Sequence, residues 1–208
     1  MDIPAIFLAL ENSALLSTTL VPLWLILFLV LLQISDRAIY LIPSLLIVYF
    51  LCGIAVAWVA LPHIAFVVWA FGIFTTLILY LSVRQIVARE LPRIFLQEQG
   101  YRVLVGVALG IIAWLIGFFT AFPSGSAAVS TAVWALILLG GLRFGTAKRG
   151  MEMGVGLLLI LAGIGIWLVA VNESAIIPGL WAAGTILLAL ATGWLTDRTE
   201  GRQVVSSQ

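Results

Sequence analysis

Side chains that could carry out chemistry are few in this 208-residue chain. His63 is the only histidine and Cys52 the only cysteine, so no trio of metal ligands and no Cys-x-x-Cys pair is available. Ser124, Ser126 and Ser130 cluster along the chain, but a serine nucleophile needs a base, and no histidine follows them. We therefore expect neither catalysis nor a metal or other cofactor.

Charged residues avoid the apolar segments almost completely. They make up 9% of the chain, hydrophobic residues make up 63%, and the mean hydropathy is +1.24. Ionisable groups inside a membrane span usually mark proton relays or ion paths, so their expected absence argues against a proton pump or a charge-coupled antiporter. Glu152 is expected to precede the sixth apolar segment and to stabilise the positive end of that helix.

The elements that position these residues are seven apolar segments of about the length that crosses a bilayer. A soluble fold of this size cannot bury so much apolar surface, and continuous apolar runs favour helices over barrel strands. We predict an all-α, polytopic transmembrane bundle that forms one integral membrane domain over residues 1–208. The predicted spans are 14–34, 39–60, 62–83, 103–122, 127–142, 154–171 and 176–196.

The basic residues predict how the bundle is oriented. All ten lie in the first, third or fifth connection or in the tail 197–208, which share one side of a seven-span bundle. The positive-inside rule then places the N-terminus outside and the C-terminus in the cytoplasm. No Lys or Arg precedes Arg37, and the connections are short, which favours a bacterial plasma (inner) membrane. A net charge of +1 gives no reason to expect nucleic acid as a partner.

The longest polar connection, residues 84–102, is predicted to be a cytoplasmic segment at the membrane interface. Its apolar side chains would rest in the headgroup layer while Arg89, Arg93 and Arg102 contact anionic lipid. The alternative is a docking surface for a cytoplasmic partner.

Small residues predict where helices approach closely. Gly106 and Gly110 form a Gly-x-x-x-Gly step, Ala113 and Gly117 continue it, and Gly163 lies in the sixth span. Such positions let two backbones pack tightly in lipid. The expected use is packing within the chain, and the alternative is contact with a helix of a partner subunit.

Two functions remain open from the sequence. The favoured one is a non-catalytic subunit, assembly factor or scaffold that packs in the lipid bilayer against other membrane proteins. The alternative is a transporter or channel for a neutral or weakly polar small solute, which would pass Ser44, Thr75 and Thr76 in the second and third spans. The odd number of spans and the lack of a visible inverted repeat fit a two-half transporter poorly.

Overall fold

A computed structural model of the protein describes residues 20–34, 38–57, 62–87, 100–120, 127–171 and 176–205. These residues form seven α-helices and contain no strand. The helices are α1 (Leu20–Ile34), α2 (Ala38–Ala57), α3 (Pro62–Val87), α4 (Gly100–Phe119), α5 (Ala127–Gly145), α6 (Gly150–Val171) and α7 (Ile176–Val205).

Helices α2 to α7 are each long and apolar enough to cross a membrane. At about 1.5 Å per residue, 20 residues span about 30 Å, the thickness of the hydrocarbon core. Helix α1 is apolar but shorter, and positions 14–19 of the predicted first span lie outside the described residues. The prediction of an all-helical membrane bundle is confirmed.

Several helix ends differ from the predicted spans because hydropathy reports membrane contact and not backbone hydrogen bonding. Helix α3 continues to Val87 and α7 to Val205, so both extend beyond their apolar segments. The tail predicted at 197–208 is therefore helical as far as 205. Helix α6 begins at Gly150, so Glu152 lies in its first turn. The sequence had suggested a position just before the helix.

Consecutive helices run in opposite directions. Arg102 at the start of α4 bonds to Thr146 just after the end of α5, whereas Thr120 after α4 meets Ser130 near the start of α5. Helices α3 and α7 are parallel, since Phe71 contacts Trp181 in the first half of each helix and Ser82 lies beside Gly193 in the second half.

This alternation gathers the described basic side chains at one end of the bundle, in the first turn of α4, the last turn of α5, the connection 146–149 and the end of α7. They are Arg102, Arg143, Lys148, Arg149 and Arg198. Which end faces the cytoplasm stays a prediction.

Helices α5 and α6 approach each other closely, backbone against backbone. A Cβ atom added at Gly156 of α6 would lie 2.6 Å from the backbone nitrogen of Phe144 and 2.9 Å from the carbonyl oxygen of Gly140, both in α5. At Gly163 it would lie 3.0 Å from the carbonyl oxygen of Val133. Glycine is required because no side chain fits between the two backbones, and the close approach gives extensive dispersion contact.

Candidate functional site

Buried charged groups lie where α4, α5 and α6 end or begin. Arg143, in the last turn of α5, is fully buried, and Glu152, in the first turn of α6, is 1% exposed. The short connection 146–149 joins these two turns, so opposite charges share one end of the α5–α6 hairpin. Both residues lie at helix ends, as expected, but their burial follows from packing that the sequence pattern did not show.

Glu152 stabilises the beginning of α6 directly. Its Oε2 atom accepts a hydrogen bond from the backbone nitrogen of Lys148 at 3.0 Å. A carboxylate in the first turn that satisfies a backbone N–H just before the helix is a form of N-terminal capping, and it also faces the positive end of the helix dipole. This geometry agrees with the helix-end role predicted for Glu152.

Arg102 is also largely buried, with 8% of its surface exposed. Its Nη2 atom donates a hydrogen bond of 2.6 Å to the carbonyl oxygen of Thr146, which connects α4 to the turn after α5. The sequence did not predict this internal bond. Arg89 and Arg93 lie outside the described residues, so lipid contact by the three arginines stays a prediction.

Gln33 connects three helices at the same end of the bundle. Its fully buried side chain donates from Nε2 to the carbonyl oxygen of Leu139 in α5, at 3.0 Å, and to that of Leu29 in its own helix, at 3.4 Å. Its Cγ atom would lie 3.4 Å from a Cβ atom added at Gly106 of α4. Sequence reasoning missed Gln33, although a single amide at the end of an apolar segment is a usable signal.

The predicted solute path consists of Ser44, Thr75 and Thr76, and the structure gives these residues different surroundings. Thr76 donates its hydroxyl to the carbonyl oxygen of Gly72 at 2.7 Å. Thr75 is fully buried, and its Oγ1 atom has no hydrogen-bond partner among the described residues. Ser44 is half-buried in α2, and no hydrogen bond between described residues joins it to either threonine.

Tyr49 of α2 is a second buried hydroxyl close to this part of α3. A Cβ atom added at Gly72 would lie 2.6 Å from Cβ and 2.9 Å from Cγ of Tyr49. The Tyr49 ring meets the Phe71 ring edge-on, with the ring centroids 5.8 Å apart. The Tyr49 hydroxyl also lacks a hydrogen-bond partner among the described residues.

Ser130 joins α4 to α5 at the opposite end of the bundle from the buried charges. It donates to the carbonyl oxygen of Thr120 at 3.0 Å, and the two hydroxyl oxygens are 3.1 Å apart. Trp134 donates from Nε1 to the Thr120 hydroxyl at 3.3 Å. Ser124, Ser126 and the His63 side chain lie outside what the structure describes.

The predicted small-residue positions of α4 share one buried face. Gly106, Gly110, Ala113 and Gly117 are buried there, facing α1 and α5. A Cβ atom added at Gly110 would lie 2.7 Å from Ile26 of α1, and one at Gly117 would lie 2.6 Å from the backbone nitrogen of Thr131 in α5. Gly163 lies apart from these four, in the contact between α6 and α5.

Comparison with models of known protein families, with curated proteins and with solved structures finds no match to this chain. The described residues contain no group of three His, Cys, Asp or Glu side chains that could hold a metal ion. The chemistry that the described sites offer is hydrogen bonding to neutral groups in the middle of the bundle and charge–dipole contact at one end.

Proposed function

We propose that the protein is a non-catalytic membrane component, a subunit, assembly factor or scaffold of a bacterial plasma membrane, that packs against other membrane proteins. The observation that supports this proposal is the outward face of α4. Its most exposed side chains include Tyr101 (73%), Leu104 (70%) and Phe118 (67%). All three are large, whereas the buried face of the same helix is made mainly of glycine.

The exposed residues of α4 follow a spacing that suits contact with another helix. The outward positions 101, 104, 108, 111, 115 and 118 alternate steps of three and four residues. That alternation aligns side chains along one stripe, the arrangement that lets knobs of one helix enter holes of another. Lipid tails can cover such a stripe, but a second helix packs more closely against the large side chains of the stripe than lipid tails do.

The hydroxyl groups of the described helices support a packing role as well. Most of the described serine and threonine hydroxyls donate to the carbonyl oxygen four residues earlier and so are satisfied within, or just after, their own helix. The residues with this bond are Thr76, Ser82, Thr120, Thr131, Thr146, Thr185, Thr192 and Thr196. Groups used in this way are less suited to binding a passing solute.

Native mass spectrometry of the protein, extracted with its surrounding lipid from the source membrane, tests the proposal. We expect defined membrane subunits to accompany the wild type and to be lost from a variant with Leu104→Ala, Ile111→Ala and Leu115→Ala. The matched control carries Leu77→Ala and Leu81→Ala, which remove exposed leucines from α3. A lone protein in all three samples would overturn the proposal.

Transport of a neutral solute is the second candidate, and Thr75 is the residue that favours it. Its buried hydroxyl has no hydrogen-bond partner among the described residues, unlike the hydroxyl of neighbouring Thr76. Uptake into reconstituted vesicles should therefore fall with Thr75→Val and change little with Thr76→Val. Uptake equal to that of empty vesicles across a panel of neutral solutes would exclude this candidate.

A further inference from the structure

Two buried hydroxyl groups on the adjacent helices α2 and α3 lack hydrogen-bond partners among the described residues. Tyr49 of α2 is 1% exposed, and Thr75 of α3 is fully buried. A hydroxyl group left without a partner inside a membrane protein is costly, since neither lipid nor apolar side chains replace its bonds to water. Gln33 Oε1 and Trp181 Nε1 are also buried without a described partner, but Tyr49 and Thr75 are the described hydroxyls in this state, and they lie on adjacent helices.

Helix geometry places the two hydroxyl groups at the same level of the bundle. Helices α2 and α3 are antiparallel, and the Tyr49 Cβ atom lies against Gly72. Long side chains of a helix point back towards its N-terminus, and in this antiparallel pair that direction runs towards the C-terminus of α3. The Tyr49 ring therefore extends from Gly72 along α3 towards Thr75, three residues further on.

Most of the described side chains around the pair are apolar. Phe71, one turn before Thr75, presents its ring edge-on to Tyr49, and Leu79, one turn after Thr75, is fully buried. Leu45, one turn before Tyr49 on α2, is fully buried as well. The two hydroxyls share a level of the bundle without forming a direct hydrogen bond, so a small molecule between them is what would satisfy both.

We propose that Tyr49 and Thr75 form a binding site for one small neutral hydroxylic molecule, water or a small alcohol, held between α2 and α3. A hydroxylic molecule can accept a hydrogen bond from one of the two side chains and donate one to the other. The site takes no ion, because the described residues around it are uncharged. Its occupancy requires neither a partner protein nor transport, and the transport candidate above uses the same Thr75 hydroxyl.

A double-mutant cycle tests the bridge. Tyr49→Phe, Thr75→Val and the double variant would be unfolded reversibly in mixed micelles. Each single change should raise the unfolding equilibrium constant about fivefold, because it removes one hydrogen bond of the bridge and leaves the other hydroxyl unsatisfied. The double variant should be no less stable than either single variant, since one molecule serves both groups.

Thr76→Val is the matched control. Its hydroxyl is already bonded to Gly72 within the same helix, so the change should alter the constant less than twofold. If Tyr49→Phe and Thr75→Val each stabilise the protein and their effects multiply in the double variant, the two hydroxyls are isolated and the proposal is overturned.

Radiolytic labelling identifies the bound molecule by its chemistry. Water held at the site should let X-ray-generated hydroxyl radicals oxidise the buried rings of Tyr49 and Phe71, and Thr75→Val should reduce that labelling several-fold. The same experiment in ethylene glycol separates the two occupants. Unchanged labelling indicates water. Suppressed labelling, together with a rise in Tm on adding ethylene glycol that is larger for wild type than for Thr75→Val, indicates a small alcohol. Unlabelled rings in every sample, together with independent mutant effects, would overturn the proposal.

Discussion

Two regions of this bundle bury polar side chains, and the regions differ in whether those side chains are hydrogen-bonded. At one end, Glu152, Arg102 and Gln33 bond to backbone groups of the connection 146–149, or of α5 and α1, and hold several helices together. In the middle of α2 and α3, the hydroxyls of Tyr49 and Thr75 have no described partner. Arg102 and Glu152 reach backbone groups of the connection beyond a helix end, where pairing within the helix stops, whereas backbone groups in the middle of a helix are already paired.

The helix contacts α5–α6 and α2–α3 also differ in which atoms of the two helices meet. Between α5 and α6 the glycines bring backbone against backbone. Between α2 and α3 each helix instead supplies a glycine that accommodates an aromatic ring of the other, Gly53 for Trp69 and Gly72 for Tyr49. The Trp69 ring can shift where a backbone cannot, so the α2–α3 contact is the more adaptable of the two at Gly53, whereas Gly72 faces Cβ and Cγ of Tyr49.

The largest effect that tests this contrast is expected at Gly156. Gly156→Ala should destabilise the protein by about 3 kcal/mol, because its methyl group meets the backbone of Phe144, which cannot move without separating α5 from α6. Gly141→Ala is the control, since nothing lies within 4 Å of a Cβ atom there. It should be neutral or stabilise by up to about 1 kcal/mol through helix propensity. Reversible unfolding in mixed micelles measures the stability of both variants. Equal stability changes would show that the backbone contact at Gly156 has no special energetic cost.

Glu152→Ala should have the next largest effect, a loss of about 2 kcal/mol. It removes the acceptor for the Lys148 backbone and the buried negative charge at the start of α6. Glu152→Gln keeps an oxygen acceptor and should recover about half of the loss. The same unfolding measurement compares the two variants, and an alanine variant as stable as wild type would show that the carboxylate contributes no net stability.

Gln33→Leu should cost about 1 kcal/mol, the usual net contribution of a hydrogen bond, because it removes the bond that links α1 to α5. Hydrogen exchange of α1 amides should then accelerate more than exchange in α6, which does not contact Gln33 through this bond. Uniform acceleration throughout the bundle would instead indicate that Gln33 supports global stability.

Thr76→Val should have the smallest effect, below about 0.5 kcal/mol, since its hydroxyl bonds only within its own helix. This variant sharpens the comparison, because its neighbour Thr75 is expected to respond to the same substitution. Similar stability changes at both positions would mean that the difference between their surroundings has no energetic consequence.

Sequence reasoning reached the fold, and its candidate site residues stay predictions. It predicted the helical membrane bundle and placed Glu152 at a helix end, and it selected Thr75 and the small residues of α4 as positions of interest. It missed Gln33, the internal bond of Arg102 and the burial of Arg143. These three are polar residues near helix ends, where sequence alone is equally consistent with headgroup contact and with burial between helices.

The sequence by itself determined the elements of this protein: the apolar segments, their helical conformation and the clustering of basic residues in alternate connections. It could do so because hydropathy and the backbone's need for internal hydrogen bonds in lipid act locally along the chain. Only the tertiary structure decided which side of each helix is buried. Thr75 and Thr76 show why, since adjacent helical residues point about 100° apart. Which of them meets another helix, and whether its hydroxyl finds a partner there, depends on the neighbouring helices.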